Sequence, residues 1–214
     1  MFGRFGRFGE SVGNARCAFS LIEMLVVMGI LAVLISAGMT TFSGATRRAQ
    51  LARARETVCN VAIALESALN KEGEFPRRIL QDGSSDCEMD ERVAYELAKR
   101  NLMSLTHNDK DKKTVGLDGC GVLTPWGQDV MKRNKNATEG TAVPSGGTIK
   151  DHRVHFAVDV DGDGFVEANV GGEAVKIRGV AAAWCCGRDG KMYKYSEGRR
   201  RECSYSWAWE QVEK

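Results

Sequence analysis

Residues 18–39 read AFSLIEMLVVMGILAVLISAGM, and this stretch decides the fold. From Met24 to Met39 it carries no charge, and with AFSLIE before it and TTF after it the apolar run reaches about 24 residues, roughly 36 Å as a helix. That is long enough to span a bilayer. An ordinary secretory signal has an apolar core of about 7 to 15 residues followed by a small-x-small cleavage site, and neither fits here. The competing reading is a buried core helix, but such helices seldom hold so long an uncharged run.

The flanks of the run give it a direction. Ahead of it lies MFGRFGRFGESVGNARCA, in which Arg4, Arg7 and Arg16 outnumber the single Glu10, and the positive-inside rule keeps this end cytoplasmic and exports the rest. Within the run sits one carboxylate, Glu23, where an unpaired ionised group costs several kcal/mol or more. Such a group requires a partner, or else snorkels to the headgroups. The full chain of 214 residues is enough for one domain of ordinary size with an appendage. With 43% hydrophobic and 27% charged residues, 3 prolines and a net charge of +2, it is neither disordered nor collagen-like, and no nucleic-acid partner is expected.

Ala18-Phe19-Ser20-Leu21-Ile22-Glu23-Met24-Leu25-Val26-Val27 resembles the class III signal of type IV pilins and type II secretion pseudopilins, a basic leader ending just before a Phe with a Glu four residues on. The resemblance implies cleavage between Ala18 and Phe19 by a membrane-embedded prepilin peptidase, N-methylation of Phe19, and an assembly role for Glu23. The family usually has Gly where this chain has Ala18, so the resemblance implies slower cleavage here. The physics of Glu23 agrees with an assembly role. Once Phe19 is the N-terminus, its cationic amine lies one turn from Glu23, and the amine of an incoming copy can neutralise the Glu23 of a subunit already in place.

Beyond the membrane segment the helical pattern continues. From Ser43 to Glu72 there is no proline, and Ala45, Ala49, Ala52, Val58, Val61, Ala62, Leu65, Ala68 and Leu69 recur at spacings of three and four, one amphipathic stripe stopped by Gly73 and Pro76. Arg47, Arg48, Arg53 and Arg55 lie mostly off the stripe, as a solvated face near lipid headgroups or a phosphate-binding patch. The expected fold is α+β: a long N-terminal helix, half transmembrane and half amphipathic, packed on a small antiparallel β-sheet head, pilin-like by resemblance. The expected divisions are a cleaved leader at 1–18, the transmembrane half at 19–42, the amphipathic half at 43–73, a variable region with a short helix at 74–123, and the β-sheet head with a C-terminal loop at 124–214.

In the variable region, Ser85 or Asp86 is expected to cap a helix from about Glu88 to Met103, with Met89, Val93, Leu97 and Leu102 inward, followed by a charged surface loop at Thr106 to Lys113. Thr124-Pro125-Trp126-Gly127 resembles the Asp-Pro-Trp-Gly turn of major pseudopilins, which implies a strand at Gln128 to Arg133 and, with Thr124 in place of Asp, a weaker cap. Val154, Phe156 and Val158 alternate with His155 and Ala157 as in a half-buried strand. Asp159-Val160-Asp161-Gly162-Asp163-Gly164 then opens like many Ca2+ loops, with Glu167 as a further candidate ligand. Its twelfth position is Val170 rather than the bidentate Glu of an EF-hand, and a metal-free Asp/Gly hairpin turn stands as the alternative.

Ala174 to Cys186 reads as one or two strands. AAWCCGRDGK and the terminal Ser204-Tyr205-Ser206-Trp207 resemble the closing landmarks of major pseudopilins, and that resemblance places Ca2+ in the loop between them. Here that loop reads KMYKYSEGRRREC, with Arg199, Arg200 and Arg201 where acids are expected, so a cation does not suit it; the run is a solvated loop or a patch for an acidic partner.

Seven cysteines make an awkward odd count for an exported chain. Cys17 leaves with the leader, and Cys59, Cys87, Cys120, Cys185, Cys186 and Cys203 remain. The favoured pairs are Cys87 with Cys120 and one of the vicinal Cys185 and Cys186 with Cys203, while Cys59 reads as a buried helix thiol. The leader also removes three arginines and one glutamate from totals of 30 basic and 28 acidic residues, leaving 27 of each sign. The basicity thus belonged to the topology signal.

The sequence therefore reads as a structural, non-enzymatic subunit of a type II secretion pseudopilus. Its expected place is the inner membrane as a single pass with a periplasmic head, then a filament. The expected partners are prepilin peptidase, copies of itself and related subunits, the inner-membrane assembly platform and lipid. A type IV pilin or minor pilin of adhesion, motility or DNA uptake is the alternative within the class, and a membrane-tethered enzyme or ligand-binding head stands outside it. Against the enzyme, His107, His152 and His155 have no metal spacing, His152 and His155 are expected on opposite faces of a strand, and no nucleophile elbow or phosphate loop is present.

Overall fold

The computed structural model describes residues 20–82, 85–103, 120–134, 136–198 and 201–213, with side chains at 37–43, 78, 81–82 and 209 left aside. The leader, Ala18, Phe19, the charged loop at 106–113, Arg199 and Arg200 lie outside the described residues. The chain divides into two units, residues 1–45 and 46–214. In the first, residues from Leu21 onward form the beginning of helix α1, which is assigned over Leu21–Glu72.

In the second unit the remainder of α1 seats itself through Ala54, Val58, Val61, Ala64, Leu65 and Ala68, all essentially inaccessible to solvent. The stripe is therefore shifted from the one the spacing predicts. Ala49 and Ala52 are exposed, as is Ala45, while Leu51, Ala62 and Leu69 are partly buried against the core. Alanine suits either environment, so a run of small residues does not fix the helix's rotation, whereas Val58, Val61 and Leu65 do. The helix ends where the punctuation says: Gly73 adopts φ +74° and its N–H bonds to Leu69 O at 2.8 Å, closing the last turn.

After a short helix α2 (Arg77–Asp82), strand β1 (Cys87–Glu88) occupies the start of the expected helix, and helix α3 (Glu91–Lys99) follows. Its cap is Asp90, whose carboxylate accepts the Val93 N–H at 2.9 Å, rather than Ser85 or Asp86. Val93, Ala94 and Leu97 face inward as the periodicity requires. Met89 is also buried, but from the segment between strand and helix. The expected strand at Gln128 to Arg133 is instead helix α4 (Pro125–Arg133). Proline opens it at the position where no N–H is needed, and Gln128, Met131, Lys132 and Arg133 favour the helix against the poor propensity of Gly127. Thr124 at its N-cap makes no side-chain cap, in line with the expected weakening.

Strands β2 (Val154–Val158), β3 (Phe165–Val170), β4 (Glu173–Arg178), β5 (Ala181–Cys185) and β6 (Ser204–Tyr205) complete the head. A four-residue helix α5 (Tyr195–Gly198) lies between the last two. The strands form a four-stranded antiparallel sheet, β1-β2-β5-β6, and a separate β3-β4 hairpin. The hairpin turns through Gly171 and Gly172, at φ +59° and +83°, a geometry that a two-residue turn of this hand demands.

One face of the sheet, with Val154, Phe156, Val158, Ala183 and Cys185, shares a core with α1 and α3. The other face, with Ala157, Ala182 and Trp184, is covered by Val166, Ala168, Val170 and Ile177 of the hairpin and by Tyr205 and Trp207. Strand β2 is therefore buried on both faces instead of half-buried: Ala157 is fully covered, and only His155 is partly open. The architecture is α+β, N-terminal helical residues packed on an antiparallel sheet.

Candidate functional site

In the first unit the described side chains from Leu21 to Ile35, Glu23 excepted, are apolar on every side of the helix. Twelve large hydrophobic residues there are each at least 47% exposed, and Leu21 reaches 83%. Such a surface requires lipid or neighbouring apolar surface to cover it. Among the described residues no helix is long and apolar enough to cross a membrane; the described side chains of this run stop at Ser36, ahead of the 37–42 portion of the expected span. Glu23, the one acid in the segment's first turn, accepts the Ser20 N–H at 2.8 Å. Ser20 and Glu23 stand three apart with Leu21 the first helical residue, so the carboxylate reaches back to an N–H that has no partner within the helix. The sequence signal for this role is S-x-x-E, Ser20 to Glu23, ahead of an apolar run.

The acidic turn lies between β2 and β3. One carboxylate oxygen from each of Asp159, Asp161 and Asp163 lies within 4.8 Å of the others. Asp159, the buried member, accepts the N–H groups of Gly162 at 2.7 Å and Gly164 at 2.9 Å; Asp163 accepts the N–H of Phe165 at 2.8 Å, and Asp161 that of Asp163 at 3.4 Å. Lys176 Nζ stands 3.8 Å from Asp163 and offsets part of the charge. Glu167 is exposed on β3 opposite Lys176 and is not one of this group. The turn thus unites three of the four expected ligands.

The C-terminal loop is held by its own side chains. Tyr193 donates its hydroxyl to Asp189 Oδ2 at 2.5 Å, the Lys191 N–H reaches Asp189 Oδ1 at 3.2 Å, and the Arg201 guanidinium lies 5.3 Å from the centre of the Tyr193 ring. Burial raises the Asp189 pKa, but the Tyr193 and backbone hydrogen bonds outweigh it and hold the carboxyl below its ordinary range. Glu202 pairs with Arg47 on the second-unit part of α1. The other arginines of that helix, Arg48, Arg53 and Arg55, are solvent-exposed.

His152 and Arg153 sit deep in the head. His152 lies in a 3-10 turn (Lys150–His152) ahead of β2 rather than on the strand, and is fully buried; His155, on the strand, bonds to Asp86 at 2.7 Å. The ring's Nε2 is 2.9 Å from Gly146 O, which only accepts, so Nε2 carries the proton and Nδ1 accepts from the Thr124 hydroxyl at 3.1 Å. Desolvation pushes the His152 pKa down, against the opposing pull of Gly146, Asp151 and Asp189. Arg153 is committed to its neighbours: Nε donates to Cys120 O at 2.8 Å and the two terminal nitrogens pair with Glu88 and Glu139. A recess of about 320 Å³, lined by Asp90, Glu91, Arg92, Glu139 and Arg153, borders this clamp. Its guanidinium serves to join β1, the Cys120 segment and the Glu139 loop.

Residues 13–39 match the prokaryotic N-terminal methylation motif. The motif is of the prepilin type, consistent with a type IV pilin-like protein, a class of typically non-enzymatic subunits processed by prepilin peptidase and anchored as precursors in the inner membrane. No curated protein and no solved structure matches the chain.

Proposed function

We propose that this chain is a structural subunit of a type II secretion pseudopilus. It is cut between Ala18 and Phe19, methylated on the Phe19 amine, held in the inner membrane by residues 19–42 with its head outside, and assembled through its helix by way of Glu23. The observation that carries the reading is the methylation motif at residues 13–39 standing on a helix whose described apolar side chains from Leu21 to Ile35 are exposed. The secretion system is favoured over a pilus by the resemblance of the Trp184 to Gly190 segment and of Ser204 to Trp207 to major pseudopilins. In the head these landmarks join: Trp184 and Tyr205 are cross-strand partners, and Trp207 meets Trp184 edge-on at 6.0 Å.

Expression in a strain with an intact secretion apparatus and in one with an intact pilus apparatus tests the choice. Incorporation into the secretion filament supports the reading; incorporation only into the pilus overturns it in favour of a type IV pilin. In the same reading Asp159, Asp161 and Asp163 hold a Ca2+ ion that offsets most of the charge of three gathered carboxylates, the remaining oxygens coming from backbone or water. Calorimetry on the full chain in detergent should give a binding heat that Asp161→Ala and Asp163→Ala abolish; no heat in the wild type removes the ion from the account.

A further inference from the structure

The register of β5 and β6 identifies which of the vicinal cysteines faces Cys203. Trp184 opposes Tyr205 and Cys185 opposes Ser204; the ladder ends there, and its register continued by one residue sets Cys186 opposite Cys203. The Ser206 N–H bonds to Ala183 O at 2.9 Å, marking Ala183 and Ser206 as a hydrogen-bonded pair. Antiparallel pairs alternate, so Cys185 with Ser204 is again hydrogen-bonded and Cys186 with Cys203 falls at a non-hydrogen-bonded site. The Cys203 N–H accordingly turns away, to Gly198 O at 3.1 Å. Opposed Cα atoms at such sites are about 4.5 Å apart, within the span a disulfide bridges.

Side-chain direction selects the same pair. Cys185 belongs to the core shared with α1, while Cys203 packs in the cluster of Trp184, Tyr205 and Trp207 on the opposite face. Alternation along the strand turns Cys186 back to the Trp184 side, toward Cys203.

We propose that Cys186 and Cys203, thiols as they stand in the structure, are joined as a disulfide in the exported protein while Cys185 stays reduced. The bond rests on the export of the head argued above. It forms by exchange: the two thiols lose two electrons and two protons, one sulfur–sulfur bond forms, and the disulfide of an exported thiol–disulfide oxidoreductase is reduced to a dithiol. Burial raises the pKa of both thiols, which suppresses the reactive thiolate, so exchange occurs before the head closes. The link closes residues 187–202, the segment that carries Asp189, Tyr193 and Arg201 and sets Glu202 beside Arg47. His152 keeps its acceptor satisfied by Thr124 when the Cys186 sulfur, 3.5 Å from Nδ1, no longer carries a hydrogen.

The test is a cysteine map of the full chain purified in detergent from exporting cells, alkylated without reductant and digested with trypsin. The expected product is peptide 179–188 linked to peptide 202–214. Cys185 and Cys186 share the first peptide, so fragmentation between them assigns the sulfur in the wild type without any variant. Cys185→Ser should retain the link and Cys186→Ser should lose it, leaving Cys203 open to alkylation. Reduction of the linked chain should lower its melting temperature by about 5–10 °C. Free alkylation of Cys186 and Cys203 in chains that begin at Phe19, or a link from Cys185, overturns the proposal and leaves the proposed function standing; chains that still begin at Met1 strike at the function instead.

Discussion

At the scale of single residues, Glu23 is asked to do two things. In the single chain it satisfies the Ser20 N–H, and under the proposed function it would also receive the amine of a neighbouring subunit. Glu23→Ala should leave cleavage intact and abolish incorporation, read by electron microscopy of overexpressing cells; filaments of normal number from that variant would remove the pairing. Glu23→Gln should keep the local cap and still fail to assemble, which separates the charge from the hydrogen bond.

His152 contributes the pH dependence of the head near neutrality. Its pKa in the fold lies below the unfolded value, so the unfolded chain binds the proton more readily. The stability it contributes is complete above about pH 6.5 and is lost as the pH falls toward the folded pKa. Thermal melts of the full chain should therefore weaken between pH 7 and pH 5, and His152→Gln should flatten that slope. Asp151 and Asp189 are both held below the ordinary carboxylate range, Asp151 chiefly by the Thr148 N–H, so their contribution disappears only below about pH 4. The two windows can be told apart in one titration.

Among the elements, the part of α1 in the second unit is fixed by a few large side chains. Leu65 is fully buried between its neighbours on the helix and the sheet core, and Leu65→Ala should destabilise the head by about 2–5 kcal/mol in denaturant melts. Ala52→Ser, on the exposed side, should change stability by less than about 0.5 kcal/mol, although the spacing alone puts Ala52 on the stripe. This contrast marks how far the sequence could be read. Strong periodicity and punctuation located α1, its end at Gly73, the position of β2 though not its burial on both faces, and the strands after Ala174. Short segments were less legible, because Cys87–Glu88 becomes a strand only through its pairing with His155 and Phe156, and Pro125–Arg133 becomes a helix only where Trp126 can dock. That docking is specific: Trp126 Nε1 donates to Gln50 Oε1 at 3.2 Å, a contact 76 positions away that no local pattern encodes.

For the molecule as a whole, the sequence exposed one site and concealed another. The methylation motif at residues 13–39 was legible because a charge inside an apolar run is conspicuous without knowledge of the fold. The centre around His152, Thr124 and Arg153 was not, since it is assembled from the 120, 139 and 152 regions by backbone pairings such as Thr124 N–H to His152 O at 2.8 Å. The account depends above all on the motif at residues 13–39 being acted upon. Intact-mass and N-terminal sequencing of the protein from its own membrane fraction test this most directly. A chain that begins at Phe19 and is heavier by one methyl group is the expected result; a chain that retains Met1 to Ala18, or begins at another residue, contradicts the account.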